Sequence, residues 1–167
     1  DLSASTINFA ASNVSAGTNS CYNQVINLNG SSLNSSSNNF NFTSIPSSPV
    51  SGQLILRARG DLDGVGSNEE KWTIRDENGN NLGAIGASGS FSDQCNTTFT
   101  SNINLTTAQI NAWAANGSID FSAIDLLNKI NVSLCNSNFL ELRLQINCLS
   151  ALPGCNANAS AVINEPT

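Results

Sequence analysis

The sequence has no histidine and no methionine, and only 11% of its 167 residues are charged. Histidine is the side chain that most often acts as a general base near neutral pH, and it is a principal zinc ligand. The chain also lacks a G-x-S-x-G nucleophile motif and a phosphate-binding glycine loop with its lysine. These absences lead us to expect a protein that is not an enzyme.

Basic residues are scarce as well. Six Lys and Arg side chains are scattered among 12 Asp and Glu, which gives a formal net charge of −6. Binding to nucleic acid phosphates or to anionic lipid requires clustered positive charge. No apolar run approaches the roughly 18 residues that indicate a membrane span. The composition therefore predicts neither a nucleic acid partner nor membrane insertion.

Five cysteines occur without a C-x-x-C pair, and this pattern favours disulfides over metal ligation. Because disulfides persist in oxidising compartments, we predict a secreted protein of the extracellular space or cell surface. Repeated N-x-Ser/Thr sequons predict a glycoprotein if the host glycosylates secreted asparagines. Cys95 and Cys135 are candidates for one bridge, and Cys148 with Cys155, or either of these with Cys21, for the second. Spacing alone leaves the pairing open and one thiol unassigned.

Apolar and polar residues alternate in short segments that are separated by Gly-, Asn- and Ser-rich turns. The alternation is clearest in residues 53–59 and 139–148 and recurs in residues 2–16 and 130–134, whereas residues 19–23 have the composition of a turn. Asn78-Gly79 supplies the residues that a two-residue hairpin turn requires. About eight or nine such strands predict an all-β fold, an antiparallel β-sandwich of the jelly-roll type.

One short helix is predicted near residues 106–116. Thr106 is a suitable N-cap, Gln109 completes a capping box, and Gly117 is placed to end the helix. We assign residues 1–150 to a single β-sandwich domain. Residues 151–167, which are small and polar with two prolines, are predicted to form a tail or linker.

The only dense cluster of charge is an acidic loop within residues 61–70. Calcium takes about six to eight oxygen ligands, and carboxylates in a glycine-containing loop can converge on one ion. Asp61, Asp63, Glu69 and Glu70 are therefore the predicted ligands of a structural Ca²⁺, although their spacing is not that of an EF-hand. The alternative is a solvated loop whose charges keep a strand end from pairing with a neighbour.

Two further motifs have a functional and an ordinary interpretation. Trp72 is a candidate sugar-stacking ring of the kind found in carbohydrate-binding sandwiches, or else a core residue, because tryptophan buries a large apolar area. Arg59-Gly60-Asp61 spells the tripeptide that integrins recognise. We interpret that match as coincidence unless the loop projects outward.

The chain carries an ordered set of motifs that reads L-I-L-R-A-R-G-D-L, E-K-W-T-I, E-N-G-N-N-L-G, Q-I-N-A-W-A-A-N-G-S-I-D-F, V-S-L-C and L-E-L-R-L-Q-I. Together they span roughly residues 50–148 and resemble the β-sandwich repeats of very large secreted surface adhesins from gliding and related bacteria. The resemblance implies units strung into filaments, with one disulfide between Cys95 and Cys135. The first forty-odd residues and the other three cysteines lie outside the pattern.

These observations favour a non-enzymatic structural or adhesive unit of a cell-surface fibre. Its partners are then neighbouring copies of itself or adjacent repeats, and one version donates residues 1–16 as a strand to the open sheet edge of the next subunit. The alternative is a carbohydrate-binding module that holds a surface polysaccharide through Trp72 or Tyr22. A third hypothesis, a secreted hydrolase, requires a cleft with two facing carboxylates.

Overall fold

The alternating segments form eight β-strands in the computed structural model, which describes residues 18–62, 68–86 and 95–150. In chain order the strands are β1 (Thr18–Asn29), β2 (Ser37–Thr43), β3 (Pro49–Arg59), β4 (Lys71–Asp76), β5 (Asn81–Gly86), β6 (Phe99–Thr106), β7 (Ser118–Ile124) and β8 (Phe139–Leu149). A short helix, α1 (Thr107–Trp113), lies between β6 and β7. The predictions for residues 1–16, Asp63, Cys155 and 151–167 fall outside the described residues.

The strands form two four-stranded sheets in which every pair is antiparallel. Sheet A has the order β1-β8-β3-β6 and sheet B the order β2-β7-β4-β5. This is the strand order of a jelly roll, in which consecutive strands alternate between the two sheets except at the β4–β5 hairpin. The predicted all-β sandwich with one short helix is confirmed. The β1–β2, β3–β4, β5–β6 and β7–β8 connections all lie at one end of the sandwich, which we call the loop end.

The core forms where the apolar members of each alternating strand meet between the sheets. Phe121 contacts Phe42 and Trp113 edge to face, with ring centroids 5.9 and 5.7 Å apart. Each fully buried side chain of this size contributes on the order of 1.5–3 kcal/mol. The largest fully buried side chains are Trp72, Phe40, Phe42, Phe121, Leu54, Leu56, Leu62, Ile74, Ile110, Ile119, Leu140 and Leu142.

The helix has the predicted ends. The backbone N–H of Gln109 donates to Thr106 Oγ1 at 3.3 Å, and the backbone N–H of Thr106 donates to Gln109 Oε1 at 2.9 Å. Ile110 and Trp113 face the core. A 3-10 turn follows, and Gly117 ends it with a φ of 84°, a conformation that glycine adopts without strain.

The β4–β5 hairpin differs from the predicted two-residue turn. Gly79 has a φ of 82°, but Asn78 does not have a positive φ. Instead Gly79 N–H donates to Asp76 O at 2.9 Å, so the loop has three residues and ends on a left-handed glycine. The Asp76 carboxylate holds this loop, because its Oδ1 accepts from the N–H groups of Asn78 and Asn80.

Two other local predictions are wrong. Residues 19–23 belong to β1, which runs unbroken for 12 residues apart from a β-bulge. Residues 130–134 alternate like a strand but lie in the β7–β8 connection. The carboxylate of Asp125 accepts hydrogen bonds from the backbone N–H groups of Leu127, Lys129 and Ile130, and these bonds curl the chain away from any sheet.

Candidate functional site

The first and last strands of the described domain are neighbours in sheet A. Their register pairs Thr18 with Leu149 and Asn19 with Cys148. A β-bulge between Ser20 and Tyr22 makes Cys21 the extra residue of β1 at this point. Cys21 and Cys148 form a disulfide with their Cα atoms 5.7 Å apart. The bond therefore lies at the place where the chain enters and leaves the sandwich.

This disulfide closes a sequence separation of 127 residues. A covalent path from Thr18 to Ser150 runs along the first few residues of β1, across the two sulfur atoms and out through the last residues of β8. Everything between the two cysteines lies off that path. Tension applied to both ends of the domain is therefore carried by covalent bonds and does not reach the β1–β8 hydrogen-bond ladder beyond the bridge.

The second disulfide lies at the loop end. Cys95 precedes β6, and Cys135 lies in the β7–β8 connection, with their Cα atoms 5.3 Å apart. The carbonyl oxygen of Cys95 accepts a hydrogen bond from Arg59 Nε at 2.8 Å. This pairing is the one implied by the resemblance and proposed from the strand-rich segments. The Cys21–Cys148 bridge is one of the alternatives left open, and Cys155 is outside the described residues.

The β7–β8 connection is fixed at several points although it contains no strand. Asp125 organises its start, and Asn138 organises its end by accepting from Gly30 N–H at 3.2 Å and donating to Val132 O. Asp61, only 5% exposed, accepts from Asn131 N–H at 2.8 Å. These bonds and the Cys95–Cys135 disulfide tie together all four connections of the loop end.

The predicted calcium ligands that the structure describes do not form a metal-binding group. Asp61 is buried and bonded to the β7–β8 connection, whereas Glu69 pairs with Lys71. Asp63 is outside the described residues. Among residues 18–62, 68–86 and 95–150, no group of three or more His, Cys, Asp or Glu side chains is arranged to hold a metal ion. A calcium site that includes Asp63 stays a prediction.

The Arg-Gly-Asp tripeptide does not project outward. Gly60 and Asp61 are buried, and the Arg59 side chain is bonded to the backbone of Cys95. An integrin-like receptor binds this motif at an exposed loop tip, so the interpretation of coincidence stands.

Trp72 cannot stack on a sugar. Its side chain is 1% exposed and lies in the core, so its prediction as a ligand-stacking residue is wrong and the core alternative is correct. Tyr22 is half-buried, and its hydroxyl donates to Thr43 O at 2.9 Å, which ties β1 to the end of β2. Burial raises the pKa of this hydroxyl. The alternation of apolar residues around Trp72 in the sequence already indicated a position in the core.

A second group of acidic residues lies on the outer face of sheet B. Asp120 accepts from Asn41 Nδ2 at 2.7 Å, and Glu77 lies in the same groove. Burial raises the pKa of Glu77, with smaller contributions in the same direction from the charges of Asp120 and Asp76. Asp61 and Asp125 accept hydrogen bonds from backbone N–H groups, and Glu69 pairs with Lys71. Asp76, Glu77 and Asp120 line this groove together with Arg75.

Comparisons with known proteins do not assign a family. No protein-family model matches the chain. Neither the curated proteins nor the solved structures give a match. Within the described ranges, none of the helices has the length and apolar character needed to cross a membrane. The two disulfides suggest an oxidising, extracellular environment, and with the β-sandwich they are compatible with an extracellular structural domain.

Proposed function

We propose that this chain is a non-enzymatic, tension-bearing unit of an extracellular fibre or large surface adhesin. The observation that carries the proposal is the Cys21–Cys148 disulfide, which joins the first and last strands where the chain enters and leaves the domain. A unit placed between neighbours in a fibre is pulled at these two points.

The geometry explains why such a unit needs the bond. Antiparallel neighbours that are pulled from the same end separate like a zipper, because the load falls on one backbone pair at a time. Each hydrogen bond contributes only about 0.5–1.5 kcal/mol, so a ladder loaded in this way yields at low force. With the cysteines bridged, the load passes from Cys21 to Cys148 and the remaining strand pairs stay unloaded.

The second disulfide supports the same role at the opposite end of the sandwich. It fixes the β7–β8 connection, which has no strand of its own, to the segment before β6. Loops of this length without regular structure are a common point of proteolytic attack. In a surface fibre exposed to extracellular proteases, the Cys95–Cys135 bond therefore protects the β7–β8 connection from cleavage.

The experiment is electron microscopy of the native material, released from the producing cells without reductant and labelled with an antibody raised against residues 18–150. We expect label at regular intervals along extended filaments. Antibody absorbed beforehand with the purified domain is the control and should give no label. Label confined to free, monodisperse particles contradicts the proposal.

Neighbouring copies of the chain are the proposed partners, and residues 1–16 are the proposed connecting strand. The sequence of this segment places Ile7 and Phe9 at alternate positions, as a strand donated to an open sheet edge requires. The variant Ile7→Asn with Phe9→Asn should prevent assembly in sedimentation velocity. The control variant, Thr6→Asn with Ala10→Asn, changes the opposite face and should assemble. Equal behaviour of the two variants rejects the donated strand.

A further inference from the structure

The fold gathers cations that are scattered in the sequence. The chain has six Lys and Arg side chains and a net charge of −6. Three of the six, Arg57, Arg59 and Arg143, occupy outward positions of β3 and β8, where they alternate with buried leucines and alanine. Glu141 is the only acidic residue in the four strands of sheet A. The outer face of sheet A therefore carries an excess of two positive charges in an acidic protein.

A row of four amide side chains lies beside these charges. The strand registers align Asn23, Gln145, Gln53 and Asn104 across β1, β8, β3 and β6. Gln53 Nε2 donates to Asn104 Oδ1 at 3.3 Å. Adjacent strands are about 4.8 Å apart, so amide groups recur along the row at an interval close to the rise of one sugar unit in an extended polysaccharide.

Arg143 occupies the next row, between Val25 and Ile55. Its guanidinium has no hydrogen bond or ion pair with any other residue that the structure describes, and its Nε is buried without an acceptor. A buried donor without an acceptor is costly, and native structures seldom leave one unexplained. Arg143 is therefore a cation of this face that is not neutralised by a carboxylate in the described residues.

Arg57 provides a second cation one row further along. Its Nη1 lies 3.5 Å from Glu141 Oε1, and its guanidinium lies 5.7 Å from the centre of the Phe139 ring. The side chain is nevertheless 46% exposed, so its remaining N–H groups face solvent. Arg57 and Arg143 are diagonal neighbours across β3 and β8, because Ile55 pairs with Arg143 and Arg57 pairs with Glu141.

We propose that the outer face of sheet A binds an acidic polysaccharide, a hydroxyl-rich chain that carries carboxylates. Amide side chains can donate to and accept from sugar hydroxyls, and the row of four presents them in line. The Nη groups of Arg143 bind a sugar carboxylate through paired hydrogen bonds, and Arg57, one row further along, adds positive charge to the face. The polymer crosses the strands parallel to the amide row. This site involves neither Trp72 nor the disulfide, so it stands independently of the tension-bearing role.

The test is affinity electrophoresis of the complete, oxidised chain in native gels that contain polygalacturonate. A parallel gel contains the same polymer after reduction of its carboxylates. We expect retardation by the acidic polymer only, and weaker retardation at higher ionic strength. Arg143→Gln should lower the affinity about tenfold, since it removes a charge-assisted contact. Asn104→Ala, which removes one amide from the row, should lower it by a smaller factor.

Arg75 offers a matched control. It also has a buried Nε without an acceptor, but it lies on sheet B in a groove shared with Asp120 and Glu77, where an anionic polymer is repelled. Arg75→Gln should therefore leave the affinity unchanged. Three results overturn the proposal: no retardation of the wild-type chain, equal retardation by the reduced polymer, or equal losses in Arg143→Gln and Arg75→Gln. Stronger displacement of the polymer by single-stranded RNA than by free polygalacturonate also overturns it.

Discussion

The carboxylate of Asp61 accepts a hydrogen bond from the backbone N–H of Asn131, 70 residues further along the chain, at 2.8 Å. This bond joins the end of β3 to the β7–β8 connection inside the protein. Asp61→Ala should lower the free energy of unfolding by about 2–3 kcal/mol, because the partly buried Asn131 N–H loses a charged acceptor. Asp61→Asn, which retains an acceptor oxygen, should lose less. Urea denaturation followed by circular dichroism measures both.

The control for that prediction is Glu69→Ala. The Glu69 carboxylate is about one-third exposed and pairs with Lys71 on the surface, so its loss should change the free energy of unfolding by less than about 1 kcal/mol. A cost for Glu69→Ala that equals the cost for Asp61→Ala would show that the buried bond has no special role.

The two disulfides should differ in their contribution to stability. They close loops with sequence separations of 127 and 40 residues. The loop-entropy relation gives about 5 and about 4 kcal/mol respectively. In thermal unfolding, the melting temperature of C21S/C148S should therefore be lower than that of C95S/C135S. The reverse order would mean that the packing of the β7–β8 connection, and not chain entropy, dominates.

The Tyr22 hydroxyl makes the free energy of unfolding depend on pH in the alkaline range. Burial raises the pKa of its hydroxyl above the unfolded value of 10.0, and the neutral hydroxyl donates to Thr43 O. The folded state then holds this proton more tightly than the unfolded state does. The stabilisation is complete below the unfolded pKa and is lost as the pH rises through the folded pKa.

The measurement is the free energy of unfolding of the wild-type protein and Tyr22→Phe between pH 7 and pH 11. The variant should be less stable by about 1 kcal/mol at pH 7, where one hydrogen bond is missing. The difference should shrink above pH 10. A constant difference across the range would indicate that Tyr22 stays neutral or that its hydroxyl does not matter.

Calcium binding at the acidic loop is tested most simply by thermal melts. A site that includes Asp63 should make the melting temperature rise with added calcium and fall with chelator, because a ligand that binds only the folded state stabilises it. Asp63→Asn should abolish the response, while Asp120→Asn, on the outer face of sheet B, should retain it. A melting temperature that is independent of calcium rejects the site.

Much of the sandwich could be predicted because its strands have one face in the core. Apolar residues recur at every second position of β3 and β8, and Leu54 and Leu56 on one strand and Leu142 and Leu144 on the other are all buried. The first part of β1, TNSCYN, has polar residues on both faces, so periodicity carries no signal there. Residues 130–134 alternate without forming a strand, because the carboxylates of Asp125 and Asp61 bind the backbone N–H groups of Ile130 and Asn131 that a ladder would need.

The functional surfaces were harder to predict than the fold. The pairing of Cys21 with Cys148 follows from the β1–β8 register, which joins residues more than a hundred positions apart. The grouping of Arg57 with Arg143 has the same origin. Neither spacing nor composition carries information about strand order. The acidic loop was predicted to bind calcium because of its density of charge. In the structure, Asp61 instead accepts a hydrogen bond from the neighbouring β7–β8 connection.

The central claim is that the Cys21–Cys148 bond carries tension past the folded domain, and single-molecule pulling through residues 18 and 150 tests it directly. The oxidised wild-type domain and C95S/C135S should release almost no contour length at any force below that of covalent rupture. C21S/C148S should release about 92 residues, the 132 between the pulling points less the 40 still held by the second disulfide. That is about 300 Å of extended chain. Release of a similar length by the oxidised wild-type domain would contradict the account.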